Sequence, residues 1–203
     1  MACGSSLSAG QSSAACCRRG AAQQPRSAGS LDGLCDAIGA DAATIIIRRT
    51  NVTIRPAIES DAETIGALAA EFQAYLRGLG DRTDFAWGAQ EFLRDGFGER
   101  AAFAGLVAEL DGNVVGYALY HDGYETDRGR RLVHLIDLYV QEGSRRRGVG
   151  RALMQRVAEL SRDRGVEIVF WSVYKPNALA SAFYERFGAR QAATDLVWMA
   201  LDL

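Results

Sequence analysis

No apolar run in this 203-residue sequence approaches the roughly 18 residues that a membrane-spanning helix needs, so no membrane partner is expected. Its four cysteines, Cys3, Cys16, Cys17 and Cys35, all precede residue 51. They lack paired metal spacing and have no histidine nearby, which argues against a disulfide framework, a zinc site or any other bound metal. A strong charge of one sign is missing too. The formal net charge is −2; residues 1–50 carry five Arg against three Asp, which leaves −4 for the remainder. That balance speaks against a nucleic-acid partner and is compatible with a cationic substrate. A continuous apolar stretch near the start is also absent, which excludes a secretory signal.

The first 40 residues differ in kind from the rest. They are rich in Ala, Ser and Gly, contain Arg18, Arg19 and Arg26, and have no acid before Asp32. So few large apolar side chains cannot offset the entropy of ordering, and residues 1–45 are expected to be a disordered extension. An Arg- and Ser-rich, acid-poor segment also fits an organelle transit peptide, although residues 21–30 show no amphipathic helix. Without that signal the expected location is the cytoplasm. At 48% hydrophobic content, the chain can bury one good core, and residues 51–203 read as a single domain.

Within that domain the periodicity alternates between strand and helix. Thr53–Ala57 opens as a strand, and Asp61 is a plausible start for a helix with Ile65, Leu68, Ala69 and Phe72 as its apolar stripe. A second helix is expected from about Ala89 to Asp95. Two alternating apolar runs flank Asp111-Gly112, so residues 103–120 read as a β-hairpin. Leu132–Val140 is almost wholly apolar and β-prone, Val166–Val173 reads as another strand, and Leu196–Leu201 as the last. The fold class is α/β, with a mixed, mostly antiparallel sheet and flanking helices.

Between the long strand and the next helix lies Arg145-Arg146-Arg147-Gly148-Val149-Gly150. Leu153, Val157 and Leu160 then recur at helical spacing. A strand, a basic glycine turn and a helix N-terminus make an anion site, because bare backbone N–H groups and the helix dipole both favour a phosphate. The Walker pattern fails for want of a Lys after Gly150, and the dinucleotide fingerprint fails at Leu153. Arg-x-x-Gly-x-Gly fits, and with it the chain resembles the GNAT family of N-acetyltransferases. Other landmarks follow in order: Leu135–Val140, five residues ahead of Arg145, then Asn177 and Phe183-Tyr184-Glu185-Arg186-Phe187-Gly188-Ala189. Val114–Tyr120 resembles the family's third strand. Leu179, Phe183 and Phe187 recur at helical spacing and are expected to form the apolar stripe of the helix that carries Tyr184. The resemblance covers about residues 51–203 and is nearest to the diamine and thialysine acetyltransferases, through Tyr124-Glu125-Thr126, Gly129 and Asp137–Val140.

The resemblance implies acetyl-CoA as co-substrate, held at its pyrophosphate by Arg145, Arg146, Arg147, Gly148, Val149, Gly150, Arg151 and Ala152, mainly through backbone N–H groups from Arg146 to Arg151. It also implies contacts from Leu138, Tyr139, Val140 and Asn177, an oxyanion-stabilising N–H near Leu138–Val140, and Tyr184 as the acid that protonates the leaving thiolate. Aminolysis of the thioester further needs a base. Those relatives carry an acid one position before Asp137, where this chain has Ile136. Simple alternation places Ile136 on one face with His134 and Leu138 and turns Asp137 to the other, as a structural residue. His134 is the candidate base, acting through a water; a structurally satisfied buried histidine is the competing reading. The expected activity is acetyl transfer to the primary amine of a small molecule such as a polyamine or amino acid, with a homodimer by family analogy. Acetylation of a protein or peptide amine, a non-catalytic acyl-CoA sensor and a generic anion site in a structural protein are the alternatives. Tyr184 argues against the sensor, and Asn177 with the FYxxxGA segment against the last.

Overall fold

The computed structural model describes residues 45–47 and 51–192. The extension expected over residues 1–45 lies outside them but for Ile45, and the closing strand expected at Leu196–Leu201 lies outside them entirely. Six strands form one sheet in sequence order: β1 (Ile45–Ile47), β2 (Val52–Pro56), β3 (Ala104–Leu110), β4 (Asn113–Glu125), β5 (Arg130–Val140) and β6 (Ile168–Phe170). Every neighbouring pair is antiparallel except β5 and β6, which run parallel. A parallel pair needs a crossover, and α3 (Val149–Asp163) supplies it. The mixed, mostly antiparallel sheet expected from the sequence is therefore present. The sheet also begins earlier than residue 51, because Ile45–Ile47 pairs with Val52–Ile54.

The two faces of the sheet bury different sets of side chains. On one, Ile54, Leu106, Val133 and Leu135 meet Leu153, Met154 and Val157 of α3, with Phe183 and Phe187 of α4 (Ala178–Phe187) packed at the margin. On the other, Val107, Tyr117, Leu119 and Tyr139 meet Ile65, Leu68 and Ala69 of α1 (Ala62–Gly78) and Phe92 of α2 (Ala89–Gly96). The 3.6-residue stripes predicted on α1 and α3 are those that face the sheet. Leu153 is completely buried, so Leu153→Ala would cost about 2–5 kcal/mol in lost contacts and cavity.

Local chemistry sets the boundaries. Asp61 precedes α1 and is bound on two sides: Arg55 grips its carboxylate at 2.7 and 2.8 Å, and the Ile58 N–H donates to it at 2.9 Å. Desolvation opposes ionisation of Asp61, but those hydrogen bonds and the Arg55 charge prevail and hold its pKa below the usual value. The β3–β4 turn falls on Asp111 and Gly112, both at positive φ (53° and 84°), as a two-residue hairpin demands.

Three expectations are corrected. The strand expected over Val166–Val173 pairs only at Ile168–Phe170; beyond it, residues 171–177 turn away from β5. Leu179 is 56% exposed, and α4 rests on the domain through Phe183, Tyr184 and Phe187 instead. The alternation along β5 is broken by a bulge: Leu119 pairs with Asp137 and Tyr120 with Leu135, which leaves Ile136 as the extra residue. Leu135 and Leu138 consequently both pack on the α3 side.

Candidate active site

The β5–α3 turn has the geometry of an anion cradle. Arg146 and Gly148 both adopt positive φ (61° and 86°). The Arg145 N–H donates to the Glu142 carbonyl at 3.2 Å, and the Ala152 N–H to the Gly148 carbonyl at 2.9 Å. Between them, the six N–H groups from Arg146 to Arg151 have no acceptor among the described residues. Arg146 makes no ion pair there either, while Arg147 touches Asp111 at 3.3 Å on the surface and Arg151 lies over the Phe187 ring. Backbone donors, a helix N-terminus and cationic side chains fit a pyrophosphate.

Not every residue of the turn points outward. The Arg145 guanidinium donates to the Val140 carbonyl at 2.9 Å and lies 5.0 Å from the Tyr75 ring centre and 5.5 Å from that of Tyr139. Arg145 thus fastens the turn to α1 and β5. A Cβ on Gly150 would face Phe183 at 3.5 Å, an ordinary contact, and would not face the cradle. Gly148 is where a side chain would be strained, by its positive φ.

Where β5 and β6 part beyond the His134–Phe170 pair, a cleft of about 240 Å³ opens. One wall is α1 and the segment before α2, with Phe72, Phe85 and Trp87; Gln73 holds that segment by donating to the Trp87 carbonyl at 2.9 Å. The other wall is Trp171, Tyr174, Asn177 and Tyr184. Tyr117, Asp137 and Leu138 close the sheet side, and among the described residues no Lys or Arg lines the cleft. Asn177 caps α4 through a 3.1 Å bond from the Ala180 N–H, and its Oδ1 accepts the Tyr75 hydroxyl at 2.9 Å. Its amide hydrogens stay uncommitted among the described residues. The Tyr184 ring packs on Trp171 at 4.9 Å. Burial and then the nearby Asp137 charge push its hydroxyl up to about 12, so it stays protonated at any working pH.

Asp137 was expected to be structural and to face away from the chemistry. It lines the cleft instead, because the bulge at Ile136 resets the phase of β5. Burial alone pushes its carboxyl up to about 6. His134 does not reach the cleft. Its Nδ1 lies 3.0 Å from His121 Nε2 across the β4–β5 pair, its ring rests 5.9 Å from Phe170, and burial followed by the His121 charge lowers its pKa. Half-buried and engaged by His121, it stands away from the cleft. Asp137 was missed for want of register: a bulge is fixed by pairing with β4, and no local pattern announces it. Tyr117 and Trp87, far apart in sequence, gave no signal.

Comparison with known proteins agrees with this geometry. Residues 67–189 match the acetyltransferase (GNAT) family. The chain is 35% identical to thialysine N-epsilon-acetyltransferase of Bos taurus over 156 residues, covering 72% of this chain and 89% of that protein. It is 34% identical to the Sus scrofa protein of the same name over 157 residues, covering 73% and 89%. Among solved structures, a mutant of the BH1408 protein from Bacillus halodurans shares the fold with a TM-score of 0.63 at 24% identity, covering 73% of this chain and 99% of that one. The chain belongs to the acetyltransferase (GNAT) family and is an N-acetyltransferase.

Proposed function

We propose that the chain transfers the acetyl group of acetyl-CoA to the primary amine of a small cationic molecule, by direct attack and with no covalent enzyme intermediate. The observation that carries this reading is Asp137: a half-buried carboxylate of raised pKa, in an aromatic cleft with no cationic side chain in its lining among the described residues. Such a wall attracts an ammonium through the ring faces of Phe72, Phe85 and Trp87, and Asp137 completes its neutralisation. Two relatives carry names that specify an epsilon nitrogen, which supports an amine at the end of a side chain.

Acetyl-CoA supplies a thioester carbonyl and a thiolate leaving group. The turn holds its pyrophosphate through the Arg146–Arg151 N–H groups, assisted by Arg146, Arg147 and Arg151. The β5 edge at Leu138, Tyr139 and Val140, which no strand covers among the described residues, pairs with the amides of its pantetheine arm. The uncommitted amide hydrogens of Asn177 serve the same ligand. Asp137 takes one proton from the substrate ammonium, freeing the lone pair that forms the C–N bond. A backbone N–H of β5 near Leu138–Val140 stabilises the carbonyl oxygen as it gains charge. Tyr184 gives its proton to the sulfur as the C–S bond breaks and is reprotonated when the new amide nitrogen sheds its second proton. Of the two protons the nitrogen loses, one ends on sulfur and one passes through Asp137 to solvent.

The test is a panel of amines (polyamines, basic amino acids, aminoglycosides and short peptides) with acetyl-CoA, reading free thiol. Rapid release with small diamines or basic amino acids is expected. Turnover confined to peptides would move the substrate class to proteins, and no amine-dependent thiol at all would refute the reading.

A further inference from the structure

Tyr117 carries the one buried hydroxyl among the described residues that has no hydrogen-bond partner. Leaving such a group unsatisfied is costly, so its persistence calls for an explanation. The Tyr117 side chain is closely packed. It is 0% exposed, its ring stacks on Trp87 with centres 6.2 Å apart, and Tyr139, its cross-strand partner, lies 6.4 Å away.

The surroundings indicate what would satisfy it. Tyr117 and Asp137 line the same cleft, and Tyr117 lies close enough to feel the Asp137 charge. No donor among the described residues reaches the Asp137 carboxylate, and the two side chains do not bond each other. Both side chains therefore border one cleft, and each carries an oxygen that no described residue bonds. A nitrogen bearing at least two hydrogens answers both at once.

We infer that Tyr117 contacts the substrate: its hydroxyl oxygen accepts one N–H of the acceptor amine while Asp137 takes a hydrogen from another, which fixes the direction of the nitrogen lone pair. This rests on the reading of the cleft as an amine site with Asp137 as base. Tyr117 is then a determinant of amine binding and orientation and makes no contact with acetyl-CoA.

Tyr117→Phe keeps the ring and deletes only the hydroxyl. With an amine that the parent enzyme acetylates, kcat/KM for the amine should fall roughly 10-fold or more while KM for acetyl-CoA stays put. The melting temperature of the free variant should hold or rise, since an unsatisfied buried group is gone. Parental kcat/KM for the amine would overturn the assignment. So would a lower melting temperature with equal losses toward both substrates, the mark of a packing residue. A parent enzyme inert toward every amine would refute the underlying reading, and Tyr117's role with it.

Discussion

The anion cradle and the amine wall of the cleft do their work with different parts of the polypeptide. In the cradle the donors are backbone N–H groups, set by the positive φ of Arg146 and Gly148 and by the start of α3. On the proposed amine wall the groups are side chains, Asp137, Tyr117, Phe72 and Trp87, gathered from separate elements. A backbone site needs only a local sequence that bends correctly, whereas a side-chain site needs register and packing to be right across the whole sheet. The first should tolerate side-chain truncation and resist changes in backbone conformation; the second should behave the other way round.

The sharpest way to break that contrast is Asp137→Asn, which keeps shape and removes the base. Turnover should drop by about 10³-fold, read as thiol release at saturating acetyl-CoA, with CoA affinity unchanged by calorimetry. The same variant has a stability signature. The folded pKa of about 6 lies above the ordinary 3.8, so the buried charge opposes folding once ionised. That penalty is absent below about pH 4, grows between 4 and 6, and is complete above 6, at most about 3 kcal/mol. Asp137→Asn should thus melt higher than the parent at pH 7 and alike at pH 4. Tyr184→Phe comes next, at roughly 10²-fold in turnover with little change in acetyl-CoA binding, because a proton donor acts in the transition state. Parental turnover with chemistry limiting would return Tyr184 to packing.

In the cradle the ordering should invert. Gly148→Ala, strained at its positive φ, should weaken CoA binding about 10-fold, more than Arg146→Ala does. Gly150→Ala, whose new methyl meets Phe183 at ordinary distance, should bind CoA nearly as the parent does. Calorimetric titration separates the three, and a larger loss in Arg146→Ala would mean that side-chain charge dominates there. The smallest effect is expected for His134→Gln: turnover within about twofold of the parent, since the ring faces His121 and the cleft lies elsewhere.

What the sequence reveals follows the same division. The Asp111-Gly112 hairpin, the apolar stripes of α1 and α3 and the Arg-x-x-Gly-x-Gly turn are local features, and each appears where its residues predict. Simple alternation turns Asp137 away from the cleft because it assumes an unbroken ladder, and the bulge at Ile136 belongs to the β4–β5 pairing. Leu179 misleads for a related reason. It is apolar at the right spacing, but α4 packs by its aromatic side chains against Trp171 and α3. Tyr117 reads as core in any local window; only its place in the cleft lining and its unpartnered hydroxyl distinguish it.

The central claim is that Asp137 takes the proton from the amine, and the pH dependence of kcat/KM for the amine at saturating acetyl-CoA tests it most directly. The parent should show activity rising tenfold per pH unit below about 6 and levelling above it, as the carboxyl ionises, and Asp137→Asn should lose both the limb and most of the rate. The same limb at undiminished rate in Asp137→Asn would place the base elsewhere and contradict the account.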